Sequence, residues 1–215
     1  MHIPDGFLDP KTLVGTAVAS AGAVGYAASR LSRELEERQV PVLAAMSAFV
    51  FAAQMVNFPI AGGTSGHLLG GALITILFGP WAASLSLTAV LIIQALLFGD
   101  GGVTALGANV FNMAVIGTLT AHLTYRMLRR GAGFHPVAAF LASWLSVLVA
   151  ALAAALELGI AGTVPLRVAV PAMASWHALI GLGEGIITTA VLAYVARVRP
   201  ALLGLPETAA GGIRS

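Results

Sequence analysis

Apolar residues run in long uncharged stretches, broken by short polar or Gly- and Pro-containing segments. Between Arg38 and Asp100 lie 61 consecutive residues without an Asp, Glu, Lys or Arg. A membrane-spanning helix needs roughly 20 apolar residues, so this stretch has room for about three. Breaks are expected at Asn57 to Gly66 (NFPIAGGTSG) and at Gly79-Pro80, because Gly and Pro interrupt helices and the first segment is also polar. The pattern predicts helix 1 from Lys11 to Arg30, helix 2 from Pro41 to Val56, a short helix 3 from His67 to Phe78 and helix 4 from Trp81 to Phe98. Helix 5 is expected from Gly107 to Arg126, helix 6 from Pro136 to Leu158, and helix 7 from a first-turn Pro171 to Arg197. Seven spans place the termini on opposite faces.

Composition turns this pattern into a class. The chain has 215 residues, 58% of them hydrophobic and 9% charged, with a mean hydropathy of +0.92. A soluble domain carries about a quarter charged residues, so the expected fold is an all-α integral membrane protein, a bundle of seven transmembrane helices. Cysteine is absent, which excludes thiolate metal sites and thiol catalysis. No basic patch is large enough for a polyanion.

Charge placement gives an orientation. Arg30, Arg33, Arg38, Arg126, Arg129, Arg130, Arg197, Arg199 and Arg214 fall on one predicted face, whereas only Lys11 and Arg167 fall on the other. Cytoplasmic loops are enriched in Lys and Arg, so the N-terminus is expected outside and the C-terminus in the cytoplasm. No positive stretch precedes helix 1 and no small-residue cleavage site is evident, so the mature protein is expected to begin at Met1. A single transmembrane domain over 1–199 and a loose cytoplasmic tail over 200–215 complete the expected organisation, that of a multi-pass protein of the cell membrane.

The first residues, MHIPDGFL, carry the most specific chemistry. A free amine followed by His at position 2 can bind one metal through the Met1 amine, the His2 amide nitrogen and the His2 imidazole, closing a five-membered and a six-membered ring. Such a tetragonal nitrogen set favours Ni(II) or Cu(II). An exposed His2 without a role remains the alternative. His67, at the end of AGGTSGH, is the second candidate donor, because irregular backbone at membrane depth is tolerated where it lines a cavity. A hydrogen-bonded loop histidine is the competing reading. Gln54, Asn57, Thr64 and Ser65 are polar neighbours that could orient these donors, with Asn57 and Ser65 favoured.

Two further features lie within the spans. Helix 1 carries Gly15, Ala19, Ala23 and Ala27 at four-residue spacing, which fits either packing inside the bundle or a coupling surface for another membrane subunit. Helix 7 carries His177 and Glu184, seven residues apart and near one face, readable as a functional pair or as an interhelical lock. Glu157, near the outer end of helix 6, is expected to be solvated.

MHIPDGFL, AGGTSGHLLGG before a Gly-Pro break, and WHALIGLGEGIIT in the last helix together resemble the NikM/CbiM substrate-capture subunits of energy-coupling-factor nickel and cobalt importers. The resemblance covers nearly the whole chain. It implies seven helices, the first of them additional to the vitamin-binding relatives, and one transported Ni(II), with Co(II) as the alternative. The ligands it implies are the Met1 amine, the His2 amide and imidazole nitrogens, and the His67 imidazole. Implied partners are a membrane coupling (T) subunit, a pair of cytoplasmic ATPases and a small accessory membrane subunit. The chain has no G-x-x-x-x-G-K-[ST] loop, so it is expected to be no enzyme and to borrow ATP hydrolysis from those partners.

Two other functions compete. Gly63-Thr64-Ser65-Gly66 fits the G-x-S-G of rhomboid-like intramembrane proteases, with Ser65 as nucleophile and His177 as base. That match is four residues long and leaves Met1-His2 unexplained. A membrane scaffold without any metal is the third reading.

Overall fold

Asp9 starts the first helix by accepting hydrogen bonds from the backbone N–H groups of Lys11 (3.0 Å) and Thr12 (3.4 Å), with Pro10 at the first helical position. The computed structural model describes residues 1–60, 64–129 and 133–203. Its helices are α1 (Pro10–Glu34), α2 (Val40–Gln54), α3 (Gly71–Ile93), α4 (Leu106–Asn109), α5 (Thr118–Leu128), α6 (Pro136–Ile160) and α7 (Leu166–Val198). A short antiparallel pair, β1 (Phe58–Ile60) and β2 (Thr64–Gly66), follows α2 with Pro59 opposite Ser65. Two π-helical runs, Gln94–Phe98 and Val110–Gly117, prolong α3 and join α4 to α5. Five stretches, Pro10–Arg33, Gly71–Phe98, Leu106–Leu128, Pro136–Ile160 and Leu166–Val198, are long and apolar enough to cross a bilayer.

The stretch from Gly71 doubles back on itself. Gly79 has φ 85° and ψ 167° inside α3, and Pro80 follows without an N–H. A Cβ on Gly71 would lie 3.0 Å from Leu87 Cδ1, whereas sixteen residues of one straight helix would hold these positions about 24 Å apart. The arms 71–78 and 80–93 therefore pack side by side, and the break expected at Gly79-Pro80 is a reversal of the chain.

Three boundaries differ from the sequence expectation. The third helix begins at Gly71, not His67, because the N–H groups of Leu69 and Gly70 are taken by Glu184 and Gly70 is left-handed (φ 73°). The last helix begins at Leu166, leaving Pro171 inside it, where the proline forgoes one backbone bond near the helix start. Pro200–Leu203 forms a helical turn whose Leu202 and Leu203 pack on Leu73, Leu77, Ala139 and Leu192, so the ordered domain extends past 199. Ala61, Gly62, Gly63, Arg130 and Arg214 lie outside the described residues, as do positions 204–215 of the tail expected over 200–215.

The helices meet through small residues. A Cβ on Gly181 would lie 2.9 Å from Trp144 Cδ1 and one on Gly185 2.7 Å from Phe140 Cδ2, so α6 and α7 approach closely enough for Trp144 Nε1 to donate to the Ala178 carbonyl at 3.0 Å. α1 is the most peripheral span. It touches α4 where Ala17 abuts Gly107 and Ser20 Oγ donates to the Gly107 carbonyl at 2.7 Å. Gly15 and Ala19 face outward, whereas Ala23 is half-buried and lines a small apolar cavity with Tyr26, Pro80 and Trp81.

Candidate metal centre

Residues 1–8 thread into the end of the bundle and are held there by the segment that follows the first π-helical run. Asn109 treats Ile3 as a strand partner would: its Oδ1 accepts the Ile3 N–H at 2.7 Å and its Nδ2 donates to the Ile3 carbonyl at 3.1 Å. Gly102 N–H donates to the same carbonyl at 2.9 Å. The Asp5 carboxylate accepts the N–H groups of Val103 and Thr104 and the Thr104 hydroxyl. Gly102 has to be glycine here, since a Cβ would lie 2.4 Å from Asp5 N. With these ties Met1 and Ile3 are fully buried and His2 is 3% exposed.

The three candidate donors meet at this depth. The Met1 nitrogen donates to the Ser65 carbonyl and lies 3.2 Å from Ser65 Oγ, which also receives the His2 N–H at 3.4 Å. The His2 and His67 rings stack with centroids 4.5 Å apart and planes 24° from parallel. His67 Nδ1 is 2.8 Å from the Leu68 carbonyl, which fixes the ring and leaves its buried Nε2 without a partner among the described residues. A neutral imidazole anchored through one nitrogen presents the other as a donor. His2 Nδ1 lies 3.2 Å from Asp100 Oδ1, and His2 Nε2 is also unpartnered among the described residues.

Electrostatics favour the neutral, electron-donating form of all three groups. Burial brings the Met1 amine down to about 4, against a partial lift from Asp100. Burial also lowers His2, partly offset by its hydrogen bond to Asp100. His67 is held well below the usual histidine range, by burial first and then by the neighbouring amine and His2. Among the described residues no cluster of three or more His, Asp or Glu side chains is placed to hold an ion.

The surrounding residues sort differently from expectation. Ser65 touches the amine and the His2 amide, but Asn57 reaches neither; its Nδ2 donates to Asp100 Oδ2 at 2.8 Å. Gln54 holds the Leu69 carbonyl at 2.7 Å, and Thr64 Oγ1 lies 3.0 Å from Met173 Sδ. Glu184 accepts the N–H groups of Leu69 (2.5 Å) and Gly70 (2.9 Å), so it braces the segment carrying His67. Glu157 is buried, not solvated, and accepts from Asn112 Nδ2 at 2.7 Å. Asp100, Asn109, Gly102 and Asp5 were not singled out by sequence reasoning; the only available signal was the GDGG break that ends the uncharged stretch.

The protease arrangement is not assembled. His177 Nδ1 bonds the Met173 carbonyl in its own helix at 2.8 Å, and its Nε2 has no hydrogen-bond partner among the described residues. Ser65 Oγ accepts from Met1 and His2, and among the described residues no hydrogen bond joins it to His177, the base that nucleophilic attack would require.

Known proteins share this chain's pattern over nearly its whole length. A family model described as the cobalt uptake substrate-specific transmembrane region matches residues 2–202. A fused nickel transport protein NikMN of Rhodobacter capsulatus is 41% identical over 94% of this chain, which spans 64% of that longer protein. A cobalt transport protein CbiM 2 of Pelobacter propionicus is 32% identical, with 95% of this chain and 94% of that protein covered. A crystal structure of a transition metal transporter superposes with a TM-score of 0.86 at 39% identity, covering 95% of this chain and 97% of that one.

Proposed function

Because the chain belongs to the CbiM family of substrate-specific transmembrane regions of metal uptake systems, we propose that it is the capture (S) subunit of an energy-coupling-factor importer and takes Ni(II) at the outer face of the cell membrane. The observation that carries the reading is the burial, in one place, of the Met1 nitrogen and the His2 and His67 rings, whose Nε2 atoms have no hydrogen-bond partner among the described residues. In the bound state the Met1 amine, the His2 amide, His2 Nδ1 and His67 Nε2 supply four nitrogen corners, the set suited to square-planar nickel. Co(II) is the competing cargo, since related proteins are named for either metal and ion preference depends on geometry and supply as much as on affinity.

The remaining parts of the reading follow from placement. The reversal at Gly79 makes seven helical segments, and the first arm, with eight residues, is about 12 Å long, so it penetrates only part of the bilayer. Gly79 lines a cavity with Arg126 and Arg129 at the end opposite the metal centre, which supports an external N-terminus and a cytoplasmic C-terminus. The outward face of α1 at Gly15 and Ala19 is the surface offered to the membrane coupling subunit, through which the cytoplasmic ATPases drive reorientation of the capture subunit; a small accessory membrane subunit completes the assembly.

Metal analysis of the purified protein, equilibrated with matched nickel and cobalt, tests this directly. One equivalent of nickel is expected in the wild-type chain and none in His2→Ala or His67→Ala. Equal metal content in all three proteins refutes the site.

A further inference from the structure

A cavity of about 590 Å³ opens above the metal centre, lined among others by His2, Asp5, Asn57, Ser65, Asp100 and Gly102. Among the described residues no Lys or Arg lines it, and two carboxylates do. They are not equivalent. Asp5 is spent on the Val103 and Thr104 amides and the Thr104 hydroxyl. Asp100 is set between two left-handed glycines, Gly99 (φ 64°) and Gly101 (φ 91°), with its N–H on the Gln94 carbonyl at 3.0 Å. One oxygen is steadied by Asn57 at 2.8 Å, while the other faces His2 Nδ1 at 3.2 Å. The side chain is 14% exposed and His2 beneath it 3%, so Asp100 is the last acidic group a cation meets before the nitrogen donors.

We propose that Asp100 is an entry ligand: its carboxylate takes a hydrated divalent cation from the vestibule and passes it to His2 Nδ1. This rests on the capture reading above and adds a step to it. A hard oxygen donor displaces one water from the aquo ion without holding it tightly; the nitrogen set then displaces the carboxylate and the remaining waters. The His2–Asp100 contact opens during the exchange, which frees His2 Nδ1 to bind the ion. The carboxylate thus acts on the rate of arrival, through its field in a partly enclosed cleft.

Stopped-flow quenching of tryptophan emission by Ni(II), with dissociation followed by competition with a strong chelator, separates arrival from retention. Asp100→Asn is expected to slow association about tenfold, within the range by which such fields raise on-rates, and to leave dissociation unchanged. Association to the wild-type chain is expected to slow as salt rises from about 0.01 to about 1 M, where the screening length falls from roughly 30 to roughly 3 Å, with a flatter response in Asp100→Asn. An unchanged association rate in the variant overturns the proposal. So does faster dissociation at unchanged association, which would make Asp100 a group that only orients His2. Should the variant fail to fold, a wild-type association rate insensitive to salt overturns it equally. A wild-type chain that binds neither nickel nor cobalt removes the capture reading itself, whereas normal wild-type affinity with an unaffected variant removes only the entry step.

Discussion

Glu184 accepts the backbone N–H of Gly70 at 2.9 Å and that of Leu69 beside it, tying the middle of α7 to the segment that ends three residues after His67. Both N–H groups would otherwise be buried without partners, since no helical turn precedes them. Leaving a buried N–H unsatisfied costs about 1 to 3 kcal/mol, and losing a group that orients a metal ligand costs roughly 10- to 100-fold in affinity. Glu184→Gln, which keeps one acceptor and turns a donor toward the second N–H, is expected to lower nickel affinity by that factor and to lower the Tm of the detergent-solubilised protein. Calorimetric titration that finds wild-type affinity would reduce Glu184 to a packing role.

The amine of Met1 is buried against Ser65, and a chelate through it needs a nitrogen that is not an amide. Acetylating the N-terminus is therefore expected to abolish stoichiometric nickel binding. Native mass spectrometry with the modified and unmodified chains checks this, and equal nickel occupancy would falsify the chelate.

Proton release measures the donor set independently. The Met1 amine lies at about 4 and both imidazoles are lowered, so at pH 7 these groups already carry no extra proton. Nickel binding should then release only the His2 amide proton, about one per ion, and affinity should rise about tenfold per pH unit. As pH falls through the lowered values, each donor gains a proton that the metal must displace, and the dependence steepens. Calorimetry in buffers of different ionisation enthalpy reads the proton count; two or more protons released at pH 7 would mean that the amine is charged in the free protein.

Gly102 tests the threading of residues 1–8. An added Cβ would lie 2.4 Å from Asp5 N and 2.7 Å from the Pro4 carbonyl carbon, both backbone atoms of the Pro4–Asp5 peptide, which cannot give way as the end of a flexible side chain could. Gly102→Ala is expected to displace the N-terminal segment and eliminate nickel binding. Gly22→Ala, whose Cβ meets nothing within 4 Å, is the control; alanine is favoured over glycine in a helix by about 1 kcal/mol, so binding and stability should be retained.

The outward face of α1 separates coupling from capture. Gly15 and Ala19 are exposed, whereas Ala23 is turned partly inward. The combined change Gly15→Leu and Ala19→Leu should leave nickel affinity intact and reduce nickel uptake by cells carrying the assembled transporter. Loss of affinity in the isolated subunit would instead place these residues in the packing of the bundle.

The apolar stretches and the candidate donors His2 and His67 can be named from the chain because both depend on local properties: apolar runs of bilayer length, and histidines beside the first amine or in a glycine-rich break. Ser65 was found as a neighbour of His67, while Asn57 was misplaced because proximity along the chain does not say which way a side chain turns. It faces Asp100. Glu184 was visible as a costly ionisable residue in lipid, but its partners, Leu69 and Gly70, lie 114 and more positions away.

What the sequence determined by itself was the solvent and part of the chemistry: 61 uncharged residues in one run require lipid, and a chain without cysteine has no thiolate donor for a metal. What only the tertiary structure decided was the depth and the company of those donors. Asn109, Gly102 and Asp5 draw the first residues inside the bundle through main-chain hydrogen bonds, and such bonds leave no side-chain pattern in the sequence. Burial then holds the amine and both imidazoles in their electron-donating forms.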